Sequence, residues 1–178
     1  QGNAELMARY HGPLGMLCRP VARGGNYNKG EGIEMAMAVG AATAGNFALF
    51  HAEPVDPRSG DPEAAIMAFT YGILVNVEGE RFVDEGFDFR NYTYARYGRA
   101  VLEQPGRFAW QVFDARTTPL LRGEYEAAHA TRADASTLED LARRLDGVDP
   151  ERFLETVRAF NAATSRNAAT SCSCSSAV

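Results

Sequence analysis

The spacing of hydrophobic and polar positions changes several times along this chain. Ala4–Tyr10 (AELMARY) fits a short helix, and the glycines and prolines from Gly12 to Pro20 read as loop. Arg23–Gly32 (RGGNYNKGEG) is a glycine-rich loop. Ile33–Gly40 (IEMAMAVG) holds helix formers and a single charge, Glu34, so it predicts a helix that is apolar on most faces and buried, ended by Gly40 or Gly45. Phe47–Phe50 (FALF) predicts a short buried strand with His51 at its end. Glu53–Pro62 is a long loop with three prolines, and Ala64–Phe69 has no decisive pattern. Gly72–Val77 and Glu80–Val83 flank Glu78-Gly79, a two-residue turn signal, and together predict a β-hairpin. Asp88 is the expected N-cap of a helix over Phe89–Leu102, where Phe89, Tyr92, Ala95 or Tyr97, Ala100 and Val101 recur at helical spacing.

Gln104-Pro105-Gly106 breaks that helix, and Phe108–Phe113 (FAWQVF) alternates as a strand does. Ala115–Leu121 suggests a helical turn and His129–Ala133 a short strand. Ser136-x-x-Glu139 reads as a capping box, and Asp149-Pro150 supplies an N-cap and an N1 proline for Glu151–Thr164. In that last helix Phe153, Val157, Phe160 and Asn161 share a face. Ser165–Val178 is of low complexity, and no internal repeat occurs. The order of elements predicts an α+β fold, a small mixed sheet or hairpin with flanking helices.

Composition narrows the function. At 178 residues, 46% hydrophobic and 23% charged, the chain suits one globular domain, or one and a part. A net charge of −5 without a basic run argues against a nucleic-acid partner but leaves room for a local anion pocket. No apolar run approaches the roughly 20 residues of a membrane span, and the polar start is not a signal peptide. Opening on Gln rather than Met, the chain reads as an excised fragment or a processed product. Cys18, Cys172 and Cys174 are odd in number and lack framework spacing, which predicts a reducing, cytoplasmic location. They lack the partners of a zinc set, so no metal site is expected.

Three places could carry chemistry. Gly30-x-Gly32-x-x-Met35 half-matches a dinucleotide fingerprint, but no strand precedes it and Met stands where a third Gly or Ala belongs. It is either a flexible loop before a helix or a backbone cradle at a helix N-terminus. His51 ends an apolar run where a loop begins, a frequent place for a ligand contact, and a lone histidine there is also often structural. Arg90 falls in a first helical turn, where the helix dipole disfavours a cation. Either it pairs with Asp84, Glu85 or Asp88, or it holds an anion through two parallel hydrogen bonds, among Phe82, Phe87, Phe89, Tyr92 and Tyr94. Glu53, Asp56 and Asp61 are expected to solvate their loop. Nucleophile-elbow, P-loop, HExxH and EF-hand patterns are all absent.

GEGIEMAMAVGA, a short run ending in His51, and GILVNVEGERFVDEG together resemble the FAD-dependent flavoprotein subunits of fumarate reductase and succinate dehydrogenase, with pieces like TGDGIRMA, FHPT and G-x-LVN-x-x-G-x-RFV. The continuation RNYTYARYGRAVLEQPGRFAWQVFDAR is similar to the tricarballylate dehydrogenase branch, and the likeness runs over about residues 10–165. The resemblance implies an FAD domain interrupted by a mobile capping domain. Residues 1–46 would end an FAD-domain segment, 47–165 would form most of the cap, and 166–178 a low-complexity tail. It further implies a dehydrogenase for a small di- or tricarboxylate such as tricarballylate. In it His51 and Arg90 would bind substrate carboxylates, and Arg90 would be the catalytic proton shuttle. Gly30 and Glu31 would lie near the FAD.

Departures from the family pattern bear on substrate. Glu31 and Lys29 replace the Asp and Thr of TGDG, and the HPT triplet reads His51-Ala52-Glu53. Where fumarate reductases carry a Glu and an Arg before G-x-LVN, Ala65 and Ala68 stand here, which speaks against fumarate reduction. The rest of an FAD domain is an expected partner, and the isolated chain is expected neither to hold FAD nor to turn over. The competing readings are a stand-alone small-anion-binding or interaction domain, and a ketosteroid-dehydrogenase-like flavoenzyme.

Overall fold

Asn3 starts the first helix, α1 (Ala4–His11), its side-chain oxygen accepting from the N–H groups of Glu5 and Leu6 at 3.1 Å each. Gly12, at φ +76, ends α1, and a 3-10 turn over Pro13–Leu17 folds back onto it. The computed structural model describes residues 2–20, 22, 24–58, 68–121, 123–125 and 130–173. Arg23, Asp61-Pro62, Ala64 and Ala65, His129 and Cys174 lie outside them.

The next helix, α2 (Glu31–Ala38), forms as predicted but starts two residues earlier. Its predicted burial fails, because all of its residues are exposed, Met35 at 66%. An apolar face creates a demand for a partner, and no described element covers this one. The predicted strand Phe47–Phe50 does not form either. Asn46 captures the run in a turn, its Oδ1 accepting from Ala48 N at 2.9 Å. The aromatic rings then pack on α1, Phe47 at 5.1 Å from Tyr10 and Phe50 at 4.3 Å from His11.

The sheet pairs β1 (Ile73–Asn76) with β2 (Ala109–Val112), antiparallel, in the register Ile73↔Val112 to Asn76↔Ala109. The predicted hairpin turn exists, with Gly79 at φ +74, but its outgoing arm makes one bridge, Val75↔Arg81. The reason is Glu85. Its buried carboxylate accepts from Leu74 N at 2.7 Å and from Arg81 Nε at 2.6 Å, in place of a strand's carbonyls. The arm turns away, and β1 takes its full partner from beyond α3 (Arg90–Leu102).

All of β1 is buried because both faces of the sheet are covered. Ile73, Val75 and Trp110 pack with Ala142, Leu145, Val148, Phe153 and Val157, from α4 (Leu138–Arg144), α5 (Pro150–Ser173) and their link. On the opposite face Leu74 packs with Phe69 and Tyr97, the latter from α3. The result is three layers, with two helices, the sheet and α3 stacked in order.

Local signals explain the helix starts. Asp149 caps α5 as predicted, accepting from Glu151 N and Arg152 N at 3.0 Å each. The α4 cap sits one residue later than predicted, because Thr137, not Ser136, accepts from Asp140 N, at 3.1 Å. Asp88 does not cap α3. Its carboxylate bonds the adjacent Phe89 N instead of reaching into the first turn, and Phe89 is the N-cap. No strand occurs over described residues 130–133, where Thr131 is instead held by Asp56. A 3-10 turn at Thr118–Leu120 realises the predicted helical turn, and α5 runs past Thr164. Asn161, placed by periodicity with the apolar face, is exposed.

Candidate functional site

His51 is positioned by its neighbour. Ala52 N donates to Ala95 O, and Gly98 N donates to Ala52 O, both at 3.1 Å, so the segment lies directly on α3. Gly98 makes this approach possible, since a Cβ there would stand 2.5 Å from the Ala52 carbonyl carbon. The same contact brings the His51 ring edge-on to Tyr94, at 4.8 Å between centroids. His51 Nε2 meets Glu53 Oε1 at 2.8 Å, with side-chain exposures of 51% and 17%.

Arg90 begins α3, four residues before Tyr94. Its Nη2 donates to Asn91 Oδ1 at 3.3 Å, and no ion pair holds it among the described residues. The acids expected to claim it are engaged elsewhere. Glu85 and Asp84 pair with Arg81, at 2.5 and 3.5 Å, and Asp88 bonds Phe89 N. Phe87, Phe89 and Tyr92 stand exposed around this helix start.

A cavity of about 2100 Å³ opens between the N-terminal segment and the sheet. His51, Glu53, Gly98, Trp110 and Arg107 line it, together with Cys18. Burial pushes the Cys18 thiol up, which disfavours the thiolate. Arg90, Gly30 and Glu31 are not in its lining. The structure thus sets His51 beside the helix that carries Arg90 but does not join the two by any hydrogen bond.

At the start of α2, Gly30 is buried at φ +91 and no side chain caps the helix. The N–H groups of Glu31 and Gly32 have no partner among the described residues. Glu31 Oε2 accepts from Lys29 N at 3.0 Å, and Glu34 adds a second acid to the first turn. Two open donors beside carboxylates match a group bearing hydroxyls, and the acids oppose a phosphate.

The residue that sequence reasoning missed is Glu53. The signal was the His-x-Glu spacing, which in an extended segment puts both side chains on one side. Asp56 is buried rather than solvating, accepting from Thr131 N at 2.6 Å and Thr131 Oγ1 at 2.8 Å. No cluster of His, Cys, Asp and Glu among the described residues could hold a metal ion. No helix there is long and apolar enough to cross a membrane.

Residues 18–175 match the family described as FAD binding domain. The chain belongs to that family, whose cofactor is FAD. Among solved structures it is similar to the open conformation of a flavocytochrome c3 fumarate reductase, with a TM-score of 0.64 at 24% identity, over 93% of this chain and 28% of that one. At that identity the likeness is one of fold, and this chain spans 28% of that protein's length.

Proposed function

We propose that this chain is part of an FAD-dependent dehydrogenase for a small di- or tricarboxylate, with tricarballylate the favoured substrate. Residues 47–165 form the capping domain that closes over the substrate, and 1–46 belong to the FAD-binding part. FAD, when bound, supplies the redox chemistry by accepting a hydride at N5. Gly30, as the left-handed residue that opens α2, and Glu31 suit its hydroxyl-bearing portion through the open N–H groups of Glu31 and Gly32 and the Glu31 carboxylate.

The observation that carries this reading is that the Arg90 guanidinium has no acidic partner among the described residues, its one bond going to Asn91. With Arg81 taking Asp84 and Glu85, Arg90 keeps its donor fork for a substrate carboxylate. The same group moves the proton. Dehydrogenation hands the substrate's proton to this group, and a guanidinium can take one only as it passes one of its own outward, so the transfer is concerted and takes place in a closed, dry site. His51 holds a second carboxylate of the substrate from the segment laid on α3.

Anaerobic flavin reduction of the full-length protein against a panel of carboxylates tests the reading, with tricarballylate expected to bleach the flavin. Arg90→Gln is expected to lower turnover at least about a thousandfold, roughly 4 kcal/mol of barrier. Turnover surviving within about tenfold removes Arg90 as the shuttle. The 178-residue chain alone is expected to retain no stoichiometric flavin, which absorbance of the purified chain checks.

A further inference from the structure

We propose that Glu53 is a positioning residue for His51, fixing which ring nitrogen meets the substrate. The inference rests on His51 binding a substrate carboxylate, as proposed above. Three observations converge on it. Glu53 Oε1 lies 2.8 Å from His51 Nε2, with the carboxylate shielded and the imidazole open. The Tyr94 ring stands edge-on to the imidazole. Ala52, between the two residues, is pinned to α3 by hydrogen bonds on both its N–H and its carbonyl.

The ring is therefore held at Nε2, against the Tyr94 ring and through the backbone of its neighbour. Nε2–H donates to the carboxylate, so Nδ1 is the nitrogen left for a ligand, and it has no partner among the described residues. A ring carrying both protons donates the second from Nδ1 to a substrate carboxylate, without turning. Glu53 also places a fixed negative charge behind the imidazole. Without it, Nε2 and Nδ1 compete for the substrate by rotation, and the bound geometry loses its single orientation.

Two experiments test this. In the ¹⁵N-labelled chain, a hydrogen-bonded Nε2–H signal of His51 is expected, lost in Glu53→Ala and kept in Glu53→Gln, whose amide oxygen still accepts. The isosteric Glu53→Gln chain keeps the comparison readable if Glu53→Ala fails to fold. Absence of the signal in the unaltered chain, or its persistence in a folded Glu53→Ala, overturns the proposal whatever the enzyme does. In the full-length flavoprotein, Glu53→Ala is expected to raise KM for tricarballylate about tenfold with kcat within about twofold, and Glu53→Gln to restore most of it. In a His51→Asn background the same substitution is expected to change KM less than about twofold, since Glu53 acts through the ring. Equal factors in both backgrounds overturn the positioning role. An intact Nε2–H signal in an enzyme whose flavin tricarballylate does not reduce counts against the substrate reading alone.

Discussion

Residues 2–50 and residues 68–165 use similar proportions of apolar side chains to different ends. In the first, Met7 is the one buried large hydrophobic among the described residues, while Met35 and Val39 face outward at 66% and 87% exposure. In the second, Val75 and Phe153 are fully buried between helices and sheet. Each region contains a helix with a capped start, α1 in the first and α5 in the second, and each has one without a side-chain cap, α2 and α3, so capping does not separate them. What differs is layering. The sheet of the second region offers two faces, and helices occupy both. The helix α2 presents an apolar stripe with nothing described across it, and such a stripe contributes stability only against another surface.

The largest effect is expected from opposite truncations. Phe153→Ala should cost about 4 kcal/mol in urea unfolding, because it empties the centre of the larger cluster. Met35→Ala on α2 should cost under about 0.5 kcal/mol. Similar costs at the two positions would break the comparison. Glu85→Ala comes next, at about 3 kcal/mol, since it orphans the Leu74 N–H and leaves Arg81 without its closest acid. A loss under about 1 kcal/mol would mean the buried carboxylate is incidental.

Gly98→Val tests the seam between the regions. Its branched side chain would collide with the Ala52 backbone, costing about 2 kcal/mol and speeding proteolytic cleavage within residues 51–58 while the sheet survives. Unchanged cleavage would mean the segment does not depend on α3. The smallest effect is that of acid. Asp140 is held below the usual carboxylate range by the Thr137 hydroxyl and then Arg143, and Asp114 by the Thr117 backbone N–H. Folded-state values that are depressed mean the unfolded chain takes up protons first. Their stabilisation is therefore present above the unfolded value, about 3.9, and fades as pH falls through the folded one. Thr137→Ala should flatten that part of an acid-unfolding curve, and an unaltered slope would contradict the assignment.

What could be read from the chain beforehand follows the range of the forces involved. Asp149-Pro150 and Gly79 were legible because a cap and a tight turn are decided within a few residues. Thr137 against Ser136 was not, since two adjacent hydroxyls can both cap and only the register of α4 chooses. The partner of β1 was hidden because it comes from beyond α3, and because a carboxylate eleven residues away displaces the near arm. In the candidate site, His51 and Arg90 could be named, but not what each touches. Arg90 keeps its guanidinium free of acids because Arg81, whose place in the RFV piece says nothing of its partners, takes Asp84 and Glu85.

The seal on β1 has a consequence for how these molecules behave toward one another. A two-stranded sheet normally leaves open edges, each a template for a strand from a second molecule. Along the outer edge of β1, Leu74 N–H is spent on Glu85 and Asn76 N–H on the Glu80 carbonyl, 3.0 Å away. A passing strand finds no free donor at either position. Glu85 thereby guards against self-association as well as unfolding, and its removal should register as concentration-dependent aggregation before the helices melt.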